Sequence, residues 1–233
     1  MDKPEHAYLL DGRQLLFLLS LADSRPAVVF PLADPARVTK LQWEQLVMGL
    51  CQAGLLQLTP DGVAMRPDLD GLIRAMKDAD NVYLACCRDA ECKVQALYTG
   101  GAQNVLLQAG TGGFRLLPWP DTAGDWLQNA LGLPRRVPDR PPAGPHTPEQ
   151  LAPDLPDLRP GFGDPVTDWG PLQPARTILD RYHAGQPDCR LVWWQGALGC
   201  ALLRQTPQGA ELLPDSLALR RTIREHLDNG AVP

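Results

Sequence analysis

Cys87 and Cys92 are the first residues whose spacing could do chemistry. They flank Arg88-Asp89-Ala90-Glu91, a segment of hairpin-loop length. Cross-strand partners in such a hairpin lie about 5 Å apart, so the two thiols could meet as a redox pair. A zinc site would need two further ligands, and no histidine is near in sequence. The 6 cysteines as a set read instead as reduced structural thiols. Cys86 and Cys87 are adjacent, Cys51 falls in a helical pattern, and Cys200 lies among apolar neighbours. Free cysteine behaves as a small buried hydrophobe, and reduced thiols belong to the cytoplasm.

The other chemistry-bearing types are sparse. His6 and His146 lie in the terminus and in a proline-rich stretch, while His183 and His226 sit beside Arg181 and Arg224. None belongs to an H-E-x-x-H pattern, and no catalytic partner can be drawn for any of them. Serine occurs only at Ser20, Ser24 and Ser216, with no G-x-S-x-G. Gly110-Thr111-Gly112-Gly113 resembles a phosphate loop in composition only. A phosphate loop leads from strand into helix, whereas this run joins two expected strands and reads as a hairpin turn. The expectation is therefore a protein that is not an enzyme, with no metal and no cofactor.

Aromatic residues point to protein contact. Trp193 and Trp194 are adjacent on an expected strand, and Trp119 and Trp126 flank an expected helix. Trp169 lies in the proline-rich stretch, where a purely solvated linker would have little use for it. Exposed aromatic residues commonly anchor interfaces, so these five are the candidate protein-interaction residues.

Charge narrows the partner. Against 22 Lys+Arg stand 27 Asp+Glu, a formal net charge of −5. Phosphate attraction dominates nucleic-acid affinity, so this balance argues against a nucleic-acid partner. No run of 18 apolar residues exists, and the opening Met1-Asp2-Lys3-Pro4 carries no apolar signal stretch. The expectation is a cytoplasmic protein without membrane association.

The elements that must position these residues follow from periodicity. Asp11 is placed to cap a helix through Ala22, with Leu15, Leu18, Leu19 and Ala22 on one face. Ala27–Pro31 reads as a strand. Thr39 and Gln42 form a capping box before a helix carrying Trp43, Leu46, Val47 and Leu50 inward. Leu55–Leu58, a Pro60-Asp61-Gly62 turn and Val63–Met65 make a small hairpin. Asp68 is placed to cap another helix, with Leu69, Leu72, Ile73 and Met76 inward. The order over 11–66 is that of a winged helix, whose second helix would expose Gln42, Glu44, Gln45, Met48 and Gln52. A DNA reader needs arginine or lysine there, and beyond Arg37 and Lys40 nothing basic follows.

From Asn81 the period becomes two. Val82–Cys87, Lys93–Thr99, Asn104–Ala109 and Phe114–Pro118 are expected strands, closed by a helix over Asp121–Leu131. Then 12 of the 24 prolines crowd into residues 134–174, which read as a linker. Beyond it, Ala96–Leu131 aligns without a gap on Val192–Leu227, at an offset of 96. Leu106, Leu107, Gly113, Leu116, Leu117 and Pro118 repeat as Leu202, Leu203, Gly209, Leu212, Leu213 and Pro214. A helix over Ala175–Ala184 precedes the second set, which lacks a clear equivalent of the Val82–Cys87 strand.

The fold class is thus α+β, with two related halves. Each half is an antiparallel β-meander with flanking helices, and the pair is related by a pseudo-twofold. The N-terminal half covers 1–133, with a winged-helix-like segment over 11–66 and a meander plus helix over 67–133. The linker covers 134–174, and the C-terminal half covers 175–233 as helix, meander and helix.

This order resembles the EspG family, the cytosolic specificity chaperones of mycobacterial type VII secretion. The resemblance rests on the helix ending in Ala53-Gly54-Leu55-Leu56, the Asp61-Gly62-Val63 turn, and Asp68-Leu69 opening a helix. It continues through the meander ending in Phe114-Arg115-Leu116-Leu117-Pro118 and the second meander-plus-helix. It covers most of the chain except the linker, which stands where the family usually has a helical stretch. It implies a pseudo-twofold α+β fold and a chaperone or adaptor that holds the exposed helical tip of a secreted substrate pair. No binding residue is carried over. The alternative reading is a winged-helix DNA-binding transcriptional regulator.

Overall fold

A computed structural model describes residues 7–22, 38–60, 62–87, 93–110, 112–120, 126, 175–196, 199–206 and 209–213. The chain opens with β1 (Tyr8–Leu10) and α1 (Gly12–Leu21). Asp11 caps α1 by accepting from the backbone N–H groups of Arg13 and Gln14, and Gln14 returns a bond to the cap. α2 (Lys40–Gln52) starts with the Thr39–Gln42 capping box. These side chains satisfy N–H groups that a helix start leaves without partners.

A hairpin of β2 (Leu56–Thr59) and β3 (Gly62–Met65) follows and forms its own two-stranded sheet. α3 (Pro67–Lys77) comes next, with Leu69, Leu72, Ile73 and Met76 buried as their spacing requires. One expectation fails here. Asp68 does not cap α3; Arg66 holds the cap position with Pro67 in the first turn. Proline suits that place because its missing N–H would have no partner there. Asp68 is thereby left for the tertiary contact described below.

Eight further strands follow among the described residues: β4 (Asn81–Cys87), β5 (Lys93–Thr99), β6 (Val105–Gly110), β7 (Gly113–Pro118), β8 (Ala175–His183), β9 (Gln186–Gly196), β10 (Gly199–Thr206) and β11 (Gly209–Leu213). With β1 they form a nine-stranded sheet in the order β1-β7-β6-β5-β4-β8-β9-β10-β11. Every pairing in it is antiparallel. Gly110 pairs with Gly113 across β6 and β7, so the glycine run is a hairpin turn and not a phosphate loop.

The expected helix over 175–184 is instead β8, and the second set of strands does have a member beside β4. Ile178, Leu179 and Tyr182 fit a helical spacing, which is why periodicity misleads. In the sheet, Ile178, Leu179, Asp180 and Tyr182 are all buried, because β8 is covered on both faces. A strand buried on both faces loses the alternation that marks a half-exposed one. Counted outward from the β4–β8 pair, the strands at the offset of 96 hold matching places: β5 with β9, β6 with β10, and β7 with β11.

The main core lies between one sheet face and the helices. Leu15, Leu18 and Leu19 of α1 and Leu69, Ile73 and Met76 of α3 pack on Leu84, Ala96, Tyr98, Leu107 and Leu116. The alternate residues Tyr83, Leu97, Leu106 and Leu117 are buried as well, so the second face is also covered. The strand read at 27–31, the linker, nearly all of the helix over 121–131 and the C-terminal helix lie outside the described residues.

The β8–β9 turn carries local strain. Ala184 and Gly185 both have positive φ, at 47° and 78°, as a two-residue hairpin turn of the favoured hand requires. Alanine resists this region because its Cβ crowds the carbonyl oxygen, whereas asparagine tolerates it. Ala184→Asn is expected to stabilise the fold by about 0.5–1 kcal/mol. Thermal unfolding checks this, with a rise of about 1–4 °C expected.

Candidate protein-interaction surface

The tryptophans do not gather at one place. Trp126 is only 1% exposed, and its indole N–H donates to Gln95 Oε1 at 3.3 Å. Gln95 shares its side of β5 with the buried Leu97, so Trp126 packs on the second sheet face rather than presenting itself to a partner. Trp119 follows β7 and is half-buried, and its backbone N–H donates to the Asn104 carbonyl at 2.9 Å. Trp193 pairs with Thr177 and Leu202, and Trp194 with Ala175 and Ala201, in the centre of the second meander. Trp169 lies outside the described residues.

The exposed large apolar side chains among the described residues are Leu9, Leu21, Leu41, Met48 and Leu58. Leu41 and Met48 of α2 are 62% and 54% exposed, and Leu58 of β2 is 67% exposed. Leu41 and Met48 are separated by two helical turns and share a face. The opposite stripe of α2 holds the helix down: Leu50 is fully buried, and Trp43, Leu46 and Val47 are half-buried. The Trp43 ring lies 5.5 Å from that of Phe17 on α1. Gln42, expected on the outer face, is half-buried and occupied in the helix cap. The only ion pair on α2 among the described residues joins Lys40 to Glu44 at 3.9 Å. Both partners are exposed, so the pair adds little stability. The outer face of α2 thus sets Leu41 and Met48 beside the exposed Gln45 and Gln52, and it is close to neutral.

Of these residues only Met48 was legible as exposed from the helix pattern. Leu41 had a readable signal, since it lies two turns before Met48 and off the Trp43–Leu50 stripe. Leu58 had none. It shares the alternation of Leu56, which is buried, and it is exposed because the hairpin outruns the core.

The start of α3 is tied to β1 of the sheet through Tyr8, Arg66 and Asp68. The Tyr8 hydroxyl donates to Asp68 Oδ2 at 2.5 Å. Arg66 grips the same carboxylate with Nε at 2.7 Å and Nη2 at 2.6 Å. Its guanidinium lies 5.5 Å from the Tyr8 ring centroid. The hydrogen bond from Arg66, then that from Tyr8, holds the Asp68 carboxyl well below the usual carboxylate range. Burial, then the bond to Asp68, pushes the Tyr8 hydroxyl up to about 12.

The signs of these shifts define a pH window. A depressed carboxyl contributes stability above its unfolded value near 4 and loses it as pH falls further. A raised phenol contributes stability below its unfolded value near 10 and loses it as pH rises toward 12. Tyr8→Phe is therefore expected to cost about 1 kcal/mol at pH 7. The difference from the parent should shrink on both sides of the window, as read by denaturation between pH 2 and pH 11.

Cys189 and His183 have defined surroundings, whereas Cys92 and the Cys87 side chain lie outside what is described. Burial pushes the Cys189 thiol up to about 12, which keeps it protonated and unreactive. His183 sits at the end of β8, not on a helix, with Nδ1 2.9 Å from Asn81 Oδ1. Among the described residues no group of three or more His, Cys, Asp or Glu side chains could hold a metal ion. No helix among them is long and apolar enough to cross a membrane.

No protein-family model matches the chain, and no curated protein matches it in sequence. Its fold does match solved structures. One is the Mycobacterium tuberculosis type VII secretion system chaperone EspG5, in complex with the PE25–PPE41 dimer. The match has a TM-score of 0.57 at 10% identity and covers 96% of each chain. The chain has an EspG-like architecture. In this EspG-like chain β2 and β3 pair only with each other, while Leu50 of α2 and Leu56 of β2 join the core that covers the nine-stranded sheet.

Proposed function

We propose that this chain is a protein-binding chaperone or adaptor, working without catalysis in the cytoplasm. The observation that supports it is the fold correspondence over 96% of the chain with a secretion chaperone solved together with a protein dimer. The ligand on this reading is a helical secreted protein whose exposed tip must be kept from self-association. The outer face of α2 suits such a ligand, since Leu41 and Met48 are apolar and the two charges of α2, Lys40 and Glu44, are paired with each other. Trp119, Trp169, Trp193 and Trp194 are further contact candidates, while Trp126 is buried.

The architecture we infer is a pseudo-twofold of two related halves, 1–133 and 175–233, bridged by 134–174. The winged-helix-like segment 11–66 serves protein contact on this reading. The matching places of β5 and β9, β6 and β10, and β7 and β11 are what favour the twofold.

Affinity capture from the native cell with the parent and with Leu41→Lys/Met48→Lys tests the function. The parent is expected to recover a defined helical protein, and the variant to lose at least tenfold of it while unfolding at the same temperature. Recovery of nucleic acid alone, or of no protein, would overturn the reading.

A further inference from the structure

The β8–β9 hairpin contains two register shifts that cancel. At the turn, His183 pairs with Gln186 and Tyr182 with Pro187. The next pair is Arg181 with Cys189, so Asp188 is an extra residue on β9. The offset register then runs through Asp180–Arg190, Leu179–Leu191, Ile178–Val192 and Thr177–Trp193. The last pair is Ala175 with Trp194, so Arg176 is an extra residue on β8. Beyond that second bulge the register is again the one set by the turn.

An uninterrupted ladder would therefore satisfy both ends of the hairpin. It would place Arg190 opposite Leu179, Leu191 opposite Ile178 and Val192 opposite Thr177, with no bulge. Each bulge interrupts ladder hydrogen bonds, so the regular alternative has an intrinsic advantage. A slip of one residue turns every side chain of that stretch to the other face. Apolar burial barely opposes it, because Leu191, Val192, Trp193 and Trp194 are consecutive and apolar at every place.

The Asp180–Arg190 contact separates the two registers. Asp180 and Arg190 stand directly opposite each other and are buried, at 1% and 6% exposure. Arg190 Nε donates to Asp180 Oδ1 at 2.6 Å, and Nη2 to Oδ2 at 2.8 Å. In the uninterrupted ladder Asp180 would face Cys189, and Arg190 would point to the opposite side of the sheet. Both charges would then be buried apart, which is strongly unfavourable. The neighbouring Arg181–Asp188 pair does not discriminate, since the uninterrupted ladder would put those two residues directly opposite each other.

We infer that the buried Asp180–Arg190 pair is a register lock, which holds β9 one residue out of the ladder that the Ala184–Gly185 turn would otherwise dictate. Because β10 pairs with β9 without a shift, the lock also sets the position of β10 and β11 against the rest of the sheet.

The test is the cross-strand contact pattern of the full chain, read by nuclear Overhauser effects between backbone protons. The parent is expected to show Leu179 opposite Leu191. Asp180→Leu/Arg190→Met is expected to fold and to show Leu179 opposite position 190, in an unbulged ladder. Retention of the Leu179–Leu191 contact in that variant would overturn the inference. Should that variant fail to fold, Asp180→Arg/Arg190→Asp decides. The exchanged pair is expected to keep Leu179 opposite Leu191, and a shifted register there would overturn the lock.

Discussion

Arg190→Met is expected to lower the stability of the chain by about 3–5 kcal/mol, the largest effect of any single side chain discussed. The reason is what it leaves behind. Asp180 is 1% exposed, and its carboxylate accepts hydrogen bonds from Nε and Nη2 of Arg190. Without the guanidinium, a carboxylate stays buried beside Leu84, its partner on β4, with the compensating charge gone. An uncompensated buried charge costs far more than the pair itself contributes. The same asymmetry predicts that Asp180→Leu/Arg190→Met recovers most of the loss, since two apolar side chains leave no charge to bury. Denaturant unfolding of the two variants checks both statements. Equal destabilisation of single and double variants would show that packing, not charge, governs the site.

Gly113→Ala is expected to cost roughly 2–4 kcal/mol, and its cause lies in the backbone. Gly113 has φ +129°, a conformation that residues with a Cβ rarely adopt. A Cβ there would also collide with the backbone carbonyl oxygen of Leu10, which cannot swing aside as a side chain does. Leu10 is 1% exposed and pairs with Phe114, so the collision pushes β1 off β7. The damage should be local before it is global. Hydrogen exchange at Tyr8–Leu10 is expected to accelerate while β4 and β5 keep their protection. Uniform loss of protection across the sheet would place the weakness elsewhere.

Local rules read much of this molecule correctly because local chemistry decides those parts. The Asp11 and Thr39 caps, the inward stripes of α1 and α3, and the hairpin around Gly113 each depend on residues within a few positions. Three outcomes depended on distant chain. Asp68 was read as a cap, yet Tyr8 from β1 and the preceding Arg66 claim its carboxylate. β8 was read as a helix, since cover on both faces erased its alternation. Trp126 was read as a contact residue, yet the second sheet face takes it in.

By itself the amino-acid order determined the α+β class, the strand pairs joined by short turns, and the repeat at an offset of 96. Short turns join neighbours, and a repeated spacing needs no three-dimensional information to be seen. Only the tertiary structure decided that β4 and β8 lie side by side, with the masked alternation of β8 resolved by its register against β4. Only the tertiary structure, likewise, decided that Leu58 is left bare. Both outcomes turn on what covers a surface. Cover comes from segments remote in the chain, so no window of neighbouring residues encodes it.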